Sequence, residues 1–220
     1  MARLGYSRYG AQGGDVGAGI SRMLALNDAS HMAGLHLNFC TAGPPPGVGD
    51  PNAGVPAAEL ELMRARQAYF SDDERGYMQI QGTKPQTLGY SLNDSPAGLA
   101  AWIVEKYRKW CDCDGNPEKA FTKDEILTNI TIYWVTQTIA SSTRYYYEGR
   151  HTPIAPVRRV EVPTACARFP HELSLPPRRW VEALYNVRRW TDMPQGGHFA
   201  ALEQPVLLVD DIRAFFRDLR

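Results

Sequence analysis

The stretch RYGAQGGDVGAGIS, Arg8 to Ser21, places one carboxylate between glycines just before a segment of helical character. Glycines on both sides of a single residue indicate a backbone turn that a Cβ atom would obstruct. The residues before the turn are typical of a short strand, and those from about Ala18 onward predict a helix. Such a bend serves either to bind phosphate on backbone N–H groups or to expose a nucleophile.

The phosphate interpretation of this turn fits poorly. A phosphate loop requires Lys followed by Ser or Thr at the end of the glycine run, and the sequence has neither there. The glycine spacing also misses the dinucleotide pattern, and the charge of Asp15 would repel a phosphate. The turn therefore favours a nucleophile elbow with Asp15 at its centre. A structural Asp15, in an Asx-turn or as a helix N-cap, remains an alternative at this point.

A hydrolase that forms an ester on Asp15 also needs a base for water and a carboxylate that orients the base. His198 follows a double glycine in PQGGHFAALEQP, and Glu172 follows an apolar run in ARFPHELS. The order Asp15, Glu172, His198 is the order nucleophile, acid, histidine of the α/β-hydrolases. The sequence thus predicts a catalytic triad of these three residues.

The pattern of elements predicts an α/β sheet interrupted by a helical insertion. A strand, a turn, a helix and a buried strand come first, and a Pro/Gly-rich passage follows them. Ser95 is predicted as a helix N-cap, and Thr122 with Glu125 has the spacing of a capping box. Two strand–helix units end the chain. We expect core-sheet segments at 1–50 and 151–220 and a helical cap at 51–150.

Composition gives no sign of several common classes of partner. Lys plus Arg equals Asp plus Glu at 24 each, which gives no indication of nucleic acid or an anionic membrane as a partner. No apolar run approaches the ~20 residues of a membrane span, and no signal-peptide pattern opens the chain, so the expected location is cytoplasmic. The four cysteines are predicted to be free thiols, because the pair at 111 and 113 has no matching second pair for zinc.

Five ordered motifs resemble epoxide hydrolases of the α/β-hydrolase fold, and most closely the microsomal and juvenile-hormone type and its bacterial relatives. They are QGGDVG, GYMQIQGTKPQTLGYSLNDSPAGLAAWIVEKYRKW, SSTRYYYE, FPHE and GGHFAALEQP. The resemblance implies Asp15 as nucleophile, Glu172 as charge-relay acid and His198 as general base. It further implies that the backbone N–H of Val16 serves the oxyanion hole, where the family usually has Trp.

The same resemblance implies two cap tyrosines, Tyr77 in GYMQIQ and Tyr146 in SSTRYYYE. A phenol with a pKa near ~10 can donate a proton at neutral pH to the alkoxide that leaves an opened epoxide. The implied reaction turns a small hydrophobic epoxide and water into a vicinal diol through an ester on Asp15. All the reacting groups are side chains, so no cofactor or metal is expected.

The match to the family departs from its usual pattern near the beginning of the chain. MARLGYSRYG resembles the middle of a family member, and the family's His-Gly-x-Pro loop does not occur in this sequence. We therefore expect the C-terminal portion of the core sheet, with the elbow strand left as an exposed edge through which two copies could pair. Two alternatives stay open: a haloalkane dehalogenase-like hydrolase, and a shortened non-catalytic homologue that acts as a binding subunit.

Overall fold

A computed structural model describes residues 1–153 and 157–219, and it contains one parallel sheet. The strands lie side by side in chain order: β1 (Tyr9–Gly13), β2 (Met32–Leu37), β3 (Val160–Arg168) and β4 (Tyr185–Asp192). Parallel strands need crossover connections that run back over the sheet. The predicted α/β class with a helical insertion between β2 and β3 is therefore confirmed.

The chain divides into two compact units, Met1–Ala68 with Val157–Arg220, and Tyr69–Pro156. The first unit holds the sheet together with α1 (Asp15–Asn27), most of α2 (Ala57–Tyr69), α8 (Arg178–Leu184), α9 (Ala200–Glu203) and α10 (Pro205–Arg217). The second unit is helical and holds α3 (Gly76–Thr83), α4 (Pro85–Asp94), α5 (Pro96–Trp110), α6 (Lys123–Thr136) and α7 (Ile139–His151). Short 3₁₀ turns lie at Ala2–Leu4 and Pro117–Lys119. The boundaries expected after residues 50 and 150 stay a prediction.

The core of the sheet unit lies around its two central strands. Leu35 and Leu37 of β2 and Val160 and Cys166 of β3 are completely buried. Strands covered on both faces are apolar without strict alternation, which matches the segment from His31 to Cys40. This packed centre fixes the ends of the strands, and those ends carry the candidate site.

The turn after β1 has the geometry that the glycines indicate. Gly14 is extended, at φ −124° and ψ 163°, and Asp15 has a positive φ of 46°. A Cβ atom on Gly13 would collide with the backbone of Gly17, so strand and helix approach too closely for any side chain there. Helix α1 begins at Asp15 and not near Ala18, because the chain enters the helix directly from this tight bend.

Two helix starts in the helical unit confirm the predicted caps. Ser95 accepts a hydrogen bond from the backbone N–H of Gly98 at 3.0 Å. Thr122 and Glu125 form a reciprocal capping box at the start of α6. Each cap satisfies N–H groups that have no carbonyl partner within the first helical turn.

The prediction of free cysteines was wrong. Cys40 pairs with Cys166, and Cys111 pairs with Cys113. Cys40 follows β2 and Cys166 lies in the neighbouring β3, so the sheet brings together two residues that are 126 positions apart. Disulfides are rare in cytosolic proteins, which does not favour the expected cytoplasmic location. That location stays a prediction.

Strand β1 lies at an edge of the described sheet, as the sequence indicates. Pairing of two copies through this edge stays a prediction. Among residues 1–153 and 157–219, none of the helices combines the length and the apolar character that crossing a membrane requires.

The elbow geometry yields a stability test. Gly13→Ala should lower the free energy of unfolding by about 1–3 kcal/mol, because the added methyl group meets backbone that cannot move aside. Gly19→Ala is the matched control in α1, the helix that follows the turn, where a Cβ meets nothing within 4 Å. It should raise stability by about 0.5–1 kcal/mol, as alanine does in a helix interior. Urea unfolding measures both, and equal stability of the two variants would contradict the close approach at Gly13.

Candidate active site

Asp15, Glu172 and His198 come together at the carboxyl ends of the strands. Asp15 follows β1, Glu172 follows β3, and His198 lies between β4 and α9. The Nδ1 atom of His198 lies 2.6 Å from Oε1 of Glu172, and its Nε2 atom lies 3.4 Å from Oδ2 of Asp15. The carboxyl ends of parallel strands meet at one edge of a sheet, which is where open α/β folds bind ligands.

The two carboxylates have different surroundings. The side chain of Asp15 is 56% exposed at the tip of the elbow, whereas Glu172 as a residue is only 1% exposed. Glu172 Oε1 also accepts the N–H of Leu173 at 2.6 Å. One carboxylate is therefore open to a reactant, and the other is fixed against the imidazole.

The imidazole of His198 is buried between aromatic rings. The rings of Phe39 and Phe199 contact it edge-on, with centroids at 5.6 and 5.4 Å. Burial by itself lowers the pKa of a histidine, but the hydrogen bonds and charges of Asp15 and Glu172 outweigh it and raise the pKa of His198 to about 10. The imidazole is therefore protonated at neutral pH.

Arg66 of α2 holds the loop that carries Glu172. Its Nε donates to the carbonyl oxygen of Glu172 at 2.7 Å, and its Nη2 donates to the carbonyl oxygen of His171 at 2.9 Å. A guanidinium bound to two successive carbonyls fixes the direction of that backbone. The carboxylate of Glu172 thereby approaches His198 from a fixed direction.

Glu203 of α9 holds the loop that carries His198. Its two carboxylate oxygens accept the N–H groups of Gly197 and Phe199, both at 2.9 Å. The two loops are joined directly, since the N–H of His171 donates to the carbonyl of Gly196 at 3.1 Å. Because Gly197 and Phe199 flank His198 and both bind Glu203, the backbone on each side of His198 is fixed by one carboxylate.

Sequence reasoning missed Arg66 and Glu203. The role of Glu203 could have been inferred from the sequence, because an acidic residue near a helix start often accepts hydrogen bonds from the unpaired N–H groups there. The role of Arg66 could not, because Arg66 lies 106 residues before the carbonyl that it binds.

Asn38, which directly follows the neighbouring strand β2, supports the elbow through two hydrogen bonds. The N–H of Asn38 donates to the carbonyl of Gly13 at 3.2 Å, and its side-chain oxygen accepts from Gln12 Nε2 at 2.7 Å. A Cβ atom on Gly14 would lie 2.6 Å from the Asn38 amide, so Gly14 leaves room for this contact. Val16 is the second residue of α1, where a helix N–H has no carbonyl partner within the helix.

The two tyrosines implied by the resemblance lie together in the helical unit. The rings of Tyr77 in α3 and Tyr146 in α7 meet edge to face, with centroids 5.6 Å apart. Of the three successive tyrosines, Tyr145 and Tyr147 are exposed, whereas Tyr146 is partly buried. The Lys106 ammonium lies 4.3 Å from the centroid of the Tyr77 ring, an arrangement in which a cation attracts the face of the ring.

Nothing in the described part of the chain forms a metal centre, since no group of three or more His, Cys, Asp or Glu residues there could hold an ion.

Asp15, Glu172 and His198 are arranged for covalent chemistry. An exposed carboxylate can attack an electrophilic carbon, and a carboxylate-bound imidazole can move protons.

The chain is similar to known proteins that are named epoxide hydrolases. No protein-family model matches the chain. Epoxide hydrolase 1 of Oryctolagus cuniculus is 39% identical over 242 residues, which cover 98% of the chain and 52% of that protein. Juvenile hormone epoxide hydrolase 1 of Ctenocephalides felis is 36% identical over 232 residues, 96% of the chain and 50% of that protein. The chain spans about half the length of the curated relatives it matches.

Solved structures give the same result for the fold. The crystal structure of juvenile hormone epoxide hydrolase from the silkworm Bombyx mori matches with a TM-score of 0.88 at 32% identity. The match covers 100% of the chain and 57% of that structure. The chain therefore has the fold of these proteins over the part that it spans.

The raised pKa of His198 predicts how stability depends on pH. The imidazole has a pKa of about 6.5 when unfolded and about 10 when folded, so the folded chain binds more protons between these values. The stabilisation is complete below pH ~6.5 and is lost as the pH rises through about 10. Urea unfolding should therefore show stability falling over this range in the wild type and less steeply in His198→Asn.

His151→Gln is the control, because His151 is an exposed histidine of the helical unit. This variant should follow the wild-type dependence. The assigned environment of His198 is wrong if His198→Asn and the wild type lose stability in parallel between pH 6.5 and 10.

Proposed function

Because the chain is a homologue of epoxide hydrolases with the α/β-hydrolase fold, we propose that it converts an epoxide and water to a vicinal diol through an ester on Asp15. One observation carries this proposal: the ring of His198 lies between the carboxylates of Asp15 and Glu172. A carboxylate is a poor nucleophile towards amides, but it can attack a carbon whose strained ring opens as it leaves. The elbow exposes Asp15 for such an attack.

The first step is ring opening. An oxygen of Asp15 forms a bond to one epoxide carbon while the bond between that carbon and the ring oxygen breaks. The ring oxygen leaves with the electron pair as an alkoxide, and a tyrosine hydroxyl protonates it. We assign this role to Tyr77 and Tyr146, which the family resemblance implies and whose rings pack on each other.

Ester formation changes the charge of the site. The charge of Asp15 and its hydrogen bond to His198 are two of the causes that raise the histidine pKa to about 10. Both weaken when Asp15 becomes an ester, so the pKa of His198 falls. The imidazolium then releases its Nε2 proton to solvent, and the neutral imidazole becomes a base in the state in which water must be activated. It takes up a proton again when the ester is hydrolysed and Asp15 regains its charge.

The second step is hydrolysis of the ester. His198 Nε2 takes one proton from a water, whose oxygen attacks the Asp15 carboxyl carbon, and the N–H of Val16 stabilises the resulting oxyanion. Collapse of this intermediate breaks the bond to the substrate and releases the diol. Of the two water protons, one ends on the new hydroxyl and the other restores the tyrosine. Glu172 stabilises the imidazolium throughout.

The substrate that fits this proposal is a hydrophobic epoxide. Further aromatic rings extend the tyrosine pair in the helical unit, since Trp110 packs on Tyr77 and Phe70 packs on Trp110. A haloalkane dehalogenase would share the aspartate and the histidine, but the relatives named above are epoxide hydrolases. The epoxide is therefore favoured over the halide.

The covalent ester is the decisive test of this function. Styrene oxide added to His198→Gln should increase the intact mass of the protein by one molecule of reagent, because the ester forms and is not hydrolysed. Peptide mapping should locate the added mass on Asp15. Asp15→Asn should gain none, and Asp210→Asn, which changes an exposed carboxylate of α10, should turn over like the wild type. A wild-type rate in His198→Gln would refute the role of the base.

The tyrosine roles have a separate test. Tyr77→Phe and Tyr146→Phe should each slow ester formation by about 10²-fold, a usual contribution of an acid in the transition state. Tyr145→Phe and Tyr147→Phe are matched controls next to Tyr146 and should keep wild-type rates. Stopped-flow measurement of the ester burst gives these rates. An equal loss in Tyr145→Phe and Tyr146→Phe would show that the choice among the three tyrosines is wrong.

A further inference from the structure

The buried acid Glu172 has one oxygen whose charge is not balanced by the surrounding protein. Its Oε1 accepts from His198 Nδ1 and from the N–H of Leu173, both at 2.6 Å. Its Oε2 is buried and has no hydrogen-bond partner among the residues that the structure describes. An ionised oxygen removed from water without a donor is costly, so a donor is expected there.

Arg168, the last residue of β3, presents the complementary case. Its Nη1 donates to Asp192 at 2.9 Å, and its guanidinium carbon lies 5.0 Å from the centroid of the Trp190 ring. Its Nε is buried and has no partner in the described part of the chain. One side of this cation is therefore satisfied, and a buried donor remains on the other.

Arg168 and Glu172 line the same cavity, which has a volume of about 10 Å³ and also borders Asn38, Ser174 and Trp190. A space of this size suits one water molecule, provided that polar groups surround it. We infer that one water binds in this cavity, accepts a hydrogen bond from Arg168 Nε and donates one to Glu172 Oε2.

Charge distinguishes water from other small occupants. A cation would be repelled by Arg168, and an anion would be repelled by Glu172. A neutral molecule that both accepts and donates matches one free donor and one free acceptor. The amide of Asn38 and the hydroxyl of Ser174 supply further polar groups to the lining.

The water makes Arg168 a positioning residue for the acid of the triad. A bridge to Oε2 fixes the rotation of the Glu172 carboxylate, so that Oε1 stays directed at His198. This consequence rests on the proposed function, whereas the water site rests only on the geometry. The orientation of His198 is needed to activate water against the ester, and it is not needed for the attack of Asp15 on the epoxide.

A high-resolution crystal structure of the wild-type chain tests the site itself. The expected result is one water within hydrogen-bond distance of both Arg168 Nε and Glu172 Oε2. A direct ion pair between the two side chains, or a cavity without a bound water at that position, overturns the inference. This measurement needs no variant and no enzymatic activity, so it stands even if styrene oxide forms no ester.

Single-turnover kinetics with styrene oxide test the positioning role. Arg168→Met keeps a long unbranched side chain and removes the donor, and it should slow ester hydrolysis by about tenfold or more, as loss of an orienting partner does. Ester formation should stay within about twofold of the wild type, because only the second step needs the oriented base. A general loss of structure would slow both steps alike, and that result would overturn the role.

Asp192→Asn is the matched control. It removes the exposed partner of Arg168 and leaves the buried Nε in place. Its hydrolysis rate should equal that of the wild type. If Asp192→Asn and Arg168→Met lose hydrolysis equally, Arg168 acts through its surface ion pair and not through the water, and the inference is wrong.

Discussion

The hydrogen bond between His198 and Glu172 joins two loops whose residues are 26 positions apart, and most features of the site serve to maintain it. The parallel sheet brings the carboxyl ends of β3 and β4 side by side, which places both loops at one edge. Arg66 then fixes the carbonyls of the acid loop, and Glu203 fixes the N–H groups of the histidine loop. Fixing the backbone on both sides in this way stabilises the short bond between the buried acid and the imidazole.

The electrostatics of the site explain why two carboxylates can flank one imidazole. Glu172 is buried and Asp15 is exposed, so water shields Asp15 while the imidazole and the N–H of Leu173 satisfy one oxygen of Glu172. The shared histidine carries a raised pKa because both negative charges favour its protonated form. A chemical step that neutralises Asp15 therefore changes the protonation of His198. Under the proposed mechanism, ester formation on Asp15 would make His198 available as a base for the second step.

The elbow shows how backbone geometry serves chemistry. Asp15 has a positive φ, which is uncommon for a residue with a side chain and persists only where neighbouring structure imposes it. Here the imposing contacts are the close approach of Gly13 to Gly17 and the contact of Gly14 with Asn38. Each of them requires the absence of a side chain. The glycines therefore do not loosen this segment; they allow a rigid bend that holds one carboxylate exposed.

The sequence by itself determined the elbow and the helix caps at Ser95 and Thr122, because each depends on residues close together in the chain. The order of Asp15, Glu172 and His198 is likewise read directly from the sequence. Local reasoning placed the start of α1 three residues late, since it could not account for a helix that begins inside a strained turn. Only the tertiary structure decided which distant groups meet: the pairing of Cys40 with Cys166, the hydrogen bond of Arg66 to the Glu172 carbonyl, and the cavity that Arg168 and Glu172 both line. The pairing of β2 with β3 brings Cys40 to Cys166, and the packing of α2 brings Arg66 to the Glu172 loop, so these contacts join segments far apart in the chain that no local pattern relates.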